Sequence, residues 1–167
     1  EANEITTESL ELTFAMNQPG KEAVVVVTSG LTTVTGHPPG RDKFVLEART
    51  GLEARTQGGA ISIPIARQVS IKAEGPKGFD ARAELVHDLD WDARFFIAEG
   101  GVLFSNADGD GNAERAVAHG EDELELFGTA ADPARWTLAR RATKKGPIEA
   151  EARAREIRAT RDDVFAS

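Results

Sequence analysis

The feature that most constrains this chain is a period of two. Leu10, Leu12, Phe14 and Met16 alternate with Glu11, Thr13 and Ala15, which gives a half-buried strand one apolar face. The alternation returns at Phe44, Leu46 and Ala48, at Ile61, Ile63 and Ile65, and at Val69, Ile71 and Ala73. Phe79, Ala81, Ala83 and Leu85 share a face opposite Asp80, Arg82 and Glu84, and Leu124 with Leu126 and Trp136 with Leu138 extend the series. Turn residues punctuate it at Gln18-Pro19-Gly20, Gly36-His37-Pro38-Pro39-Gly40, Gly75-Pro76-Lys77-Gly78 and Asn106 to Asn112. Many short strands separated by turns predict an all-β fold. Pro64 lacks an N–H, so its strand is expected at an edge or with a bulge. Gly58-Gly59 and Gly100-Gly101 read as turns or bulges.

Ile148 to Arg161 is the one stretch that competes with this reading. Its Ala, Glu and Arg content favours helix. Its apolar residues do not: Ile148, Ala150, Ala152 and Ala154 are spaced by two, and a helix from Ile148 would need apolar side chains at Glu151 and Arg155. Two strands or one bulged strand are expected there, with a terminal helix as the lesser alternative.

With 167 residues the chain fits a single domain, taken as 1–167. Leu, Ile, Val and Phe make up about 23% of it, just above the level at which disorder becomes the default, so the core is expected to be thin. The formal charge of −8 repels a phosphate backbone and argues against a nucleic-acid partner. No apolar run approaches a membrane helix, and Glu1-Ala2-Asn3-Glu4 is not a signal sequence. The first residue is not Met, which is compatible with an earlier leader or anchor having been removed. Absence of Cys excludes disulfides, thiolate metal sites and Cys nucleophiles.

A weak repeat runs through the second half. Phe79-Asp80-Ala81-Arg82-Ala83-Glu84 is followed by Phe96-Ile97-Ala98-Glu99-Gly100-Gly101-Val102, Ala113 to Ala118 by Leu124 to Gly128, and Ile148 to Arg153 opens a third unit. Over Phe79 to Ala159 this pattern resembles the organic-solvent-tolerance (OstA/LptA-type) family of lipopolysaccharide transport, with its A-x-A strand, V-x-x-x-G-x-V strand and L-x-L-x-G strand. The resemblance implies a β-jellyroll of two facing antiparallel sheets, V-shaped and open-ended, in the periplasm. It also implies non-enzymatic transfer of lipopolysaccharide or a related lipid, and edge-to-edge association with itself or with similar jellyrolls. On that reading Phe79, Ala81, Phe96, Ala98, Val102, Phe104, Leu124 and Leu126 line the lipid groove. Arg140, Arg141, Lys144 and Lys145, a compact basic cluster, contact an anionic headgroup. No cofactor or metal is expected.

Other candidates are weaker. Asp108, Asp110 and Asn112 start a calcium-loop pattern that fails at Ala113 and His119, so a Gly/Asp-rich hairpin loop is expected. Asp88, Asp90 and Asp92 beside His87 would share one face of a strand and could serve a carbohydrate-active enzyme, though a solvated turn is the simpler reading. His37, His87 and His119 show no ligand spacing. The alternative to lipid transport is a structural or interaction module, a β-sandwich or short β-solenoid with a closed core and no lipid ligand.

Overall fold

The computed structural model describes residues 4–16, 22–36, 43–57, 60–75, 78–91, 93–120, 123–138, 141–143, 146–148, 150–160 and 164–166. The secondary structure among them is β throughout. The strands are β1 (Glu4–Met16), β2 (Glu22–Gly36), β3 (Phe44–Ala48), β4 (Leu52–Gln57), β5 (Ala60–Ala73), β6 (Phe79–Asp90) and β7 (Phe95–Asn106). They continue with β8 (Gly109–His119), β9 (Glu123–Phe127), β10 (Ala134–Leu138), β11 (Arg141–Thr143), β12 (Gly146–Ile148), β13 (Glu151–Ala154), β14 (Glu156–Thr160) and β15 (Val164–Ala166). All pairings are antiparallel, and they join in a 13-stranded sheet ordered β1-β2-β3-β5-β6-β7-β8-β9-β14-β15, with β11 and β12 forming a separate pair.

Three strands of this path are interrupted partway. β3 and β4 lie end to end between β2 and β5: β2 pairs with β3 over Thr32–Gly36 and with β4 over Ala23–Val27. In the same way β8 pairs with β10 over Gly109–Asn112 and with β9 over Arg115–His119. β13 and β14 continue β10 and β9 across Arg155, where the Gly128 N–H donates to the Arg155 carbonyl at 2.9 Å.

The interruptions lie on a line of irregularities that crosses the sheet. β1 shifts register between Thr7 and Ser9, and β6 shifts between Arg82 and Leu85 opposite a shift in β7 between Glu99 and Val102. Positive φ recurs along the line at Gly30 (74°), Gly51 (92°), Gln68 (50°), Gly100 (78°) and Gly101 (58°). An added Cβ at Gly100 would lie 2.8 Å from the Glu84 Cβ, so neither the dihedral nor the space suits another residue there.

At this line the sheet turns back on itself. Phe44 and Phe79 both pair with Ala73, which puts them at one end of the sheet. Trp91 follows the far end of β6, about 40 Å from Phe79 along a straight strand. Yet the Phe44 and Trp91 rings stack with centroids 3.3 Å apart, and Phe79 and Phe96 stack at 5.8 Å. Only a folded sheet brings these ends together. Its inner surface holds the core, including Val34, Leu46, Ile63, Ile71, Val86, Leu89, Val102, Leu126 and Ile157.

Sequence and structure differ in instructive places. The fold is all-β as expected, and its hydrogen bonding runs through one large antiparallel sheet. Ile148 to Arg161 contains β13 and β14, so no helix forms in its described part. Pro64 sits inside β5, a strand paired on both sides, at the point where β4 and β5 shift register between Glu53 and Arg55. The bulge absorbs the missing donor. Leu85 leaves the inner face because of the β6 shift, and Val86 and Leu89 take its place. The strand expected at Trp136 and Leu138 is β10, and the stretch up to residue 147 adds β11 and part of β12.

Candidate functional site

The eight residues expected to line a groove lie on three strands of the folded sheet, β6, β7 and β9. Ala81, Phe96, Ala98, Val102, Phe104, Leu124 and Leu126 are buried, and Phe79 is half-buried. They pack mainly on one another: Phe79 stacks on Phe96 and, at 5.3 Å, on Phe104, and Phe104 lies 6.4 Å from the Trp136 ring. Gly109 and Gly111 make room for the Trp136 indole, since a Cβ on either would come within 3.0 Å of that ring. This part of the interior is packed.

Two polar atoms in it lack partners. Trp91 and Trp136 are 8% and 3% exposed, and neither indole Nε1 has a hydrogen-bond acceptor among the described residues. A buried donor without an acceptor costs free energy. Nothing in the sequence pattern marks these two indoles as lacking acceptors.

The β1 end of the interior is different. Leu10 and Leu12 pair with Thr28 and Val26, and directly paired residues share a face. Thr28 and Val26 are buried, while Leu10 and Leu12 are 51% and 47% exposed. The core face therefore reaches solvent at β1, which pairs only with β2 among the described strands. Glu4, Glu8 and Glu11 are exposed on β1, which carries no Lys or Arg. At the opposite end β13 approaches β14 and β15, and the inner positions are small: Ala152, Ala154 and Ala159.

Arg140, Lys144 and Lys145 lie outside the described residues, as do His37 and Asp92; Arg141 begins β11, and its side chain is not described. Asp88 and Asp90 do not form an acidic face. Asp88 has φ 53°, and its Oδ2 lies 2.8 Å from His87 Nδ1, while Asp90 Oδ1 accepts the Ala93 N–H at 2.9 Å. His87 Nε2 is 3.8 Å from Glu99 Oε1, which also lies 3.4 Å from Arg115 Nε. His119 Nε2 is 3.1 Å from Glu125 Oε2. Asp108 sits in the β7–β8 turn, where Asn106 Oδ1 accepts the N–H groups of Asp108 and Gly109 at 2.9 and 3.0 Å. Among the described residues no three His, Asp or Glu side chains converge as a metal site requires.

On the outer face, Glu156, Arg158, Thr160, Phe165 and Ala166 line an open depression of about 420 Å³. On β13, Arg153 Nε is 2.6 Å from Glu151 Oε1. That hydrogen bond is the main cause holding the Glu151 carboxyl below its ordinary range and raising the Arg153 guanidinium. Comparison with known proteins finds no matching family model, no matching curated protein and no matching solved structure.

Proposed function

We propose that this chain is a non-catalytic interaction module that works through the edges of its folded sheet. The observation that carries the reading is the contrast between a packed centre and an open β1 edge. Phe79, Phe96, Phe104 and Leu126 fill the space between the halves, while β1 offers thirteen residues of backbone with one side unpaired among the described residues and two half-exposed leucines on its core face. Such an edge takes an added strand through main-chain hydrogen bonds. The occupant is the β13–β15 edge of a second copy. Glu4, Glu8 and Glu11 on β1 would meet Arg153 and Arg155 beside that edge, which also carries Glu151 and Glu156, and Leu10 and Leu12 would continue onto Val164 and Ala166. No metal, cofactor or catalytic residue is required.

Sedimentation velocity over rising concentration tests this. The expected result is reversible association that weakens with salt and disappears in Leu10→Lys/Leu12→Lys. A chain that stays monomeric at millimolar concentration would refute it.

The exposed core face at β1 also favours a second reading. There the folded sheet is an OstA/LptA-type jellyroll, its two halves opening in a V, and it conveys lipopolysaccharide or a similar lipid across the periplasm. Native mass spectrometry with added lipopolysaccharide tests it, a retained one-to-one adduct being the expected result.

A further inference from the structure

The chain contains two Asp-Gly dipeptides, Asp108-Gly109 and Asp110-Gly111, and both fall where β8 begins. Such a pair is open to attack by its own backbone, because glycine has no side chain to hinder its nitrogen. The glycine nitrogen adds to the aspartate side-chain carboxyl carbon, a C–N bond forms, and the carboxyl hydroxyl leaves with a proton as water. Water then reopens the resulting succinimide ring. Opening at the backbone carbonyl leaves an isoaspartate, with the main chain rerouted through the side chain and one methylene longer.

The structure holds the two pairs differently. Asp110 pairs with Ser105 of β7 on one side and with Thr137 of β10 on the other, so ladders on both edges keep its peptide extended. Asp108 lies outside the ladder, in the turn of Ala107 and Asp108 between the paired residues Asn106 and Gly109. There Asn106 Oδ1 accepts the Asp108 N–H at 2.9 Å and the Gly109 N–H at 3.0 Å. The nitrogen that would attack is thus engaged as a donor to a neighbouring side chain.

We propose that Asp108 is a modification site, a position of slow isoaspartate formation whose rate is set by the Asn106 carboxamide. The Gly109 nitrogen must release the Asn106 oxygen before it reaches the Asp108 carboxyl carbon, which makes Asn106 a positioning residue. The change is felt in the interior. A Cβ at Gly109 would lie 2.4 Å from the Thr137 carbonyl oxygen and 2.9 Å from Trp136 Cε2, so the strand has no slack there. One more methylene in the turn pushes Gly109 against that indole and loosens β8 from β10.

The test incubates the whole chain in warm, mildly alkaline buffer and reads isoaspartate at each position by peptide mapping with electron-transfer fragmentation. The same chain in urea gives the unrestrained rate of both pairs. Folded, the wild-type chain should modify Asp108 more slowly than in urea and leave Asp110 unchanged. Asn106→Ala should speed Asp108 about three- to tenfold, the value of one hydrogen bond, without affecting Asp110. Asn106→Asp, which keeps an oxygen acceptor, should stay near the wild-type rate, and the modified fraction should show shifted tryptophan emission.

Equal rates at Asp108 in the wild type and Asn106→Ala, or in Asn106→Asp and Asn106→Ala, would overturn the role of Asn106. A rise at Asp110 as large as at Asp108 would overturn it as well, since both pairs would then be responding to loss of the hairpin. Absence of isoaspartate at Asp108 from both folded wild type and folded Asn106→Ala would overturn the site itself.

Discussion

Thr28 and Thr32 sit where β2 crosses the fold line, and two isosteric substitutions there should differ sharply. Both are buried, at 7% and 0% exposure. Thr28 Oγ1 accepts the Leu52 N–H at 3.0 Å and the Thr32 hydroxyl at 2.8 Å. It thereby supplies the acceptor for the first residue of β4, immediately after the break from β3. Thr28→Val leaves the Leu52 N–H buried without an acceptor, at about 1–3 kcal/mol, and removes two further hydrogen bonds, the one accepted from Thr32 and a long one donated to the Leu52 carbonyl at 3.4 Å, together worth about 1 kcal/mol. The expected loss is therefore about 2–4 kcal/mol. Thr32→Val strands nothing: Thr28 keeps Leu52, and Thr7, 2.9 Å away, keeps the Ser9 carbonyl at 3.1 Å. Its loss should stay within about 1 kcal/mol.

Urea unfolding followed by tryptophan fluorescence gives both values. Melting temperatures should fall by about 4–16 °C for Thr28→Val and less than about 4 °C for Thr32→Val, at 2–4 °C per kcal/mol for a chain of this size. Equal losses, or a larger one for Thr32→Val, would refute the claim that Thr28 anchors β4 through its hydroxyl.

Three further outcomes follow from the packing and the charges. Leu126→Ala removes a fully buried side chain and should cost about 2–5 kcal/mol by the same unfolding assay. Gly111→Ala places a methyl 2.8 Å from Leu126 Cδ1 and 2.9 Å from Trp136 Cε3, so it should lose about 1–3 kcal/mol and shift the tryptophan emission. Arg153→Gln removes the hydrogen bond that lowers the Glu151 pKa, so a carboxyl NMR titration should show that pKa rising toward 4.5. The sign is that of a carboxylate favoured when folded: the pair contributes above the ordinary carboxylate pKa and is lost as pH falls through the depressed one.

The strands were legible in the sequence because inner and outer positions alternate, and the alternation survived in Phe44–Ala48, Ile61–Ile63, Phe96–Ala98 and Leu124–Leu126. What the alternation could not show was the fold line. Gly100-Gly101 read equally well as a turn, which would have split β7, or as a bulge, which lets it continue. The difference lies in residues far along the chain, Glu84 on one side and Arg115 on the other. The same holds for Leu85, which keeps perfect period with Phe79, Ala81 and Ala83 but faces outward because β6 and β7 shift against each other. Of the eight interior positions, all fall on the inner face, yet their pattern carried no information on whether that face meets a ligand or itself. Leu10 and Leu12 looked like ordinary core residues; their exposure follows from β1 having no second neighbour, a fact of topology.

Why so modest a supply of large apolar residues suffices can be argued from where they lie. From β2 to β7 the inner face carries most of the buried Val, Leu, Ile and Phe, with Ala48, Ala54, Ala66, Ala81 and Ala98 among them, whereas from β8 onward Gly109, Gly111, Ala116, Ala118, Ala134, Ala152, Ala154 and Ala159 outnumber the large residues Leu124, Leu126, Trp136 and Ile157. Facing layers approach as closely as their side chains allow. Side chains of these sizes let the layers approach more closely at the narrow end, where β13 meets β15, than at the wide end toward β1. The narrow end seals on methyl groups, with Trp136 filling the one place where glycines leave a gap. The wide end would need side chains larger than Leu10 and Leu12 to close, and the chain supplies none there among the described residues. The gradient therefore leaves the inner face least covered on the β1 side of Trp136, where Leu10 and Leu12 stay exposed.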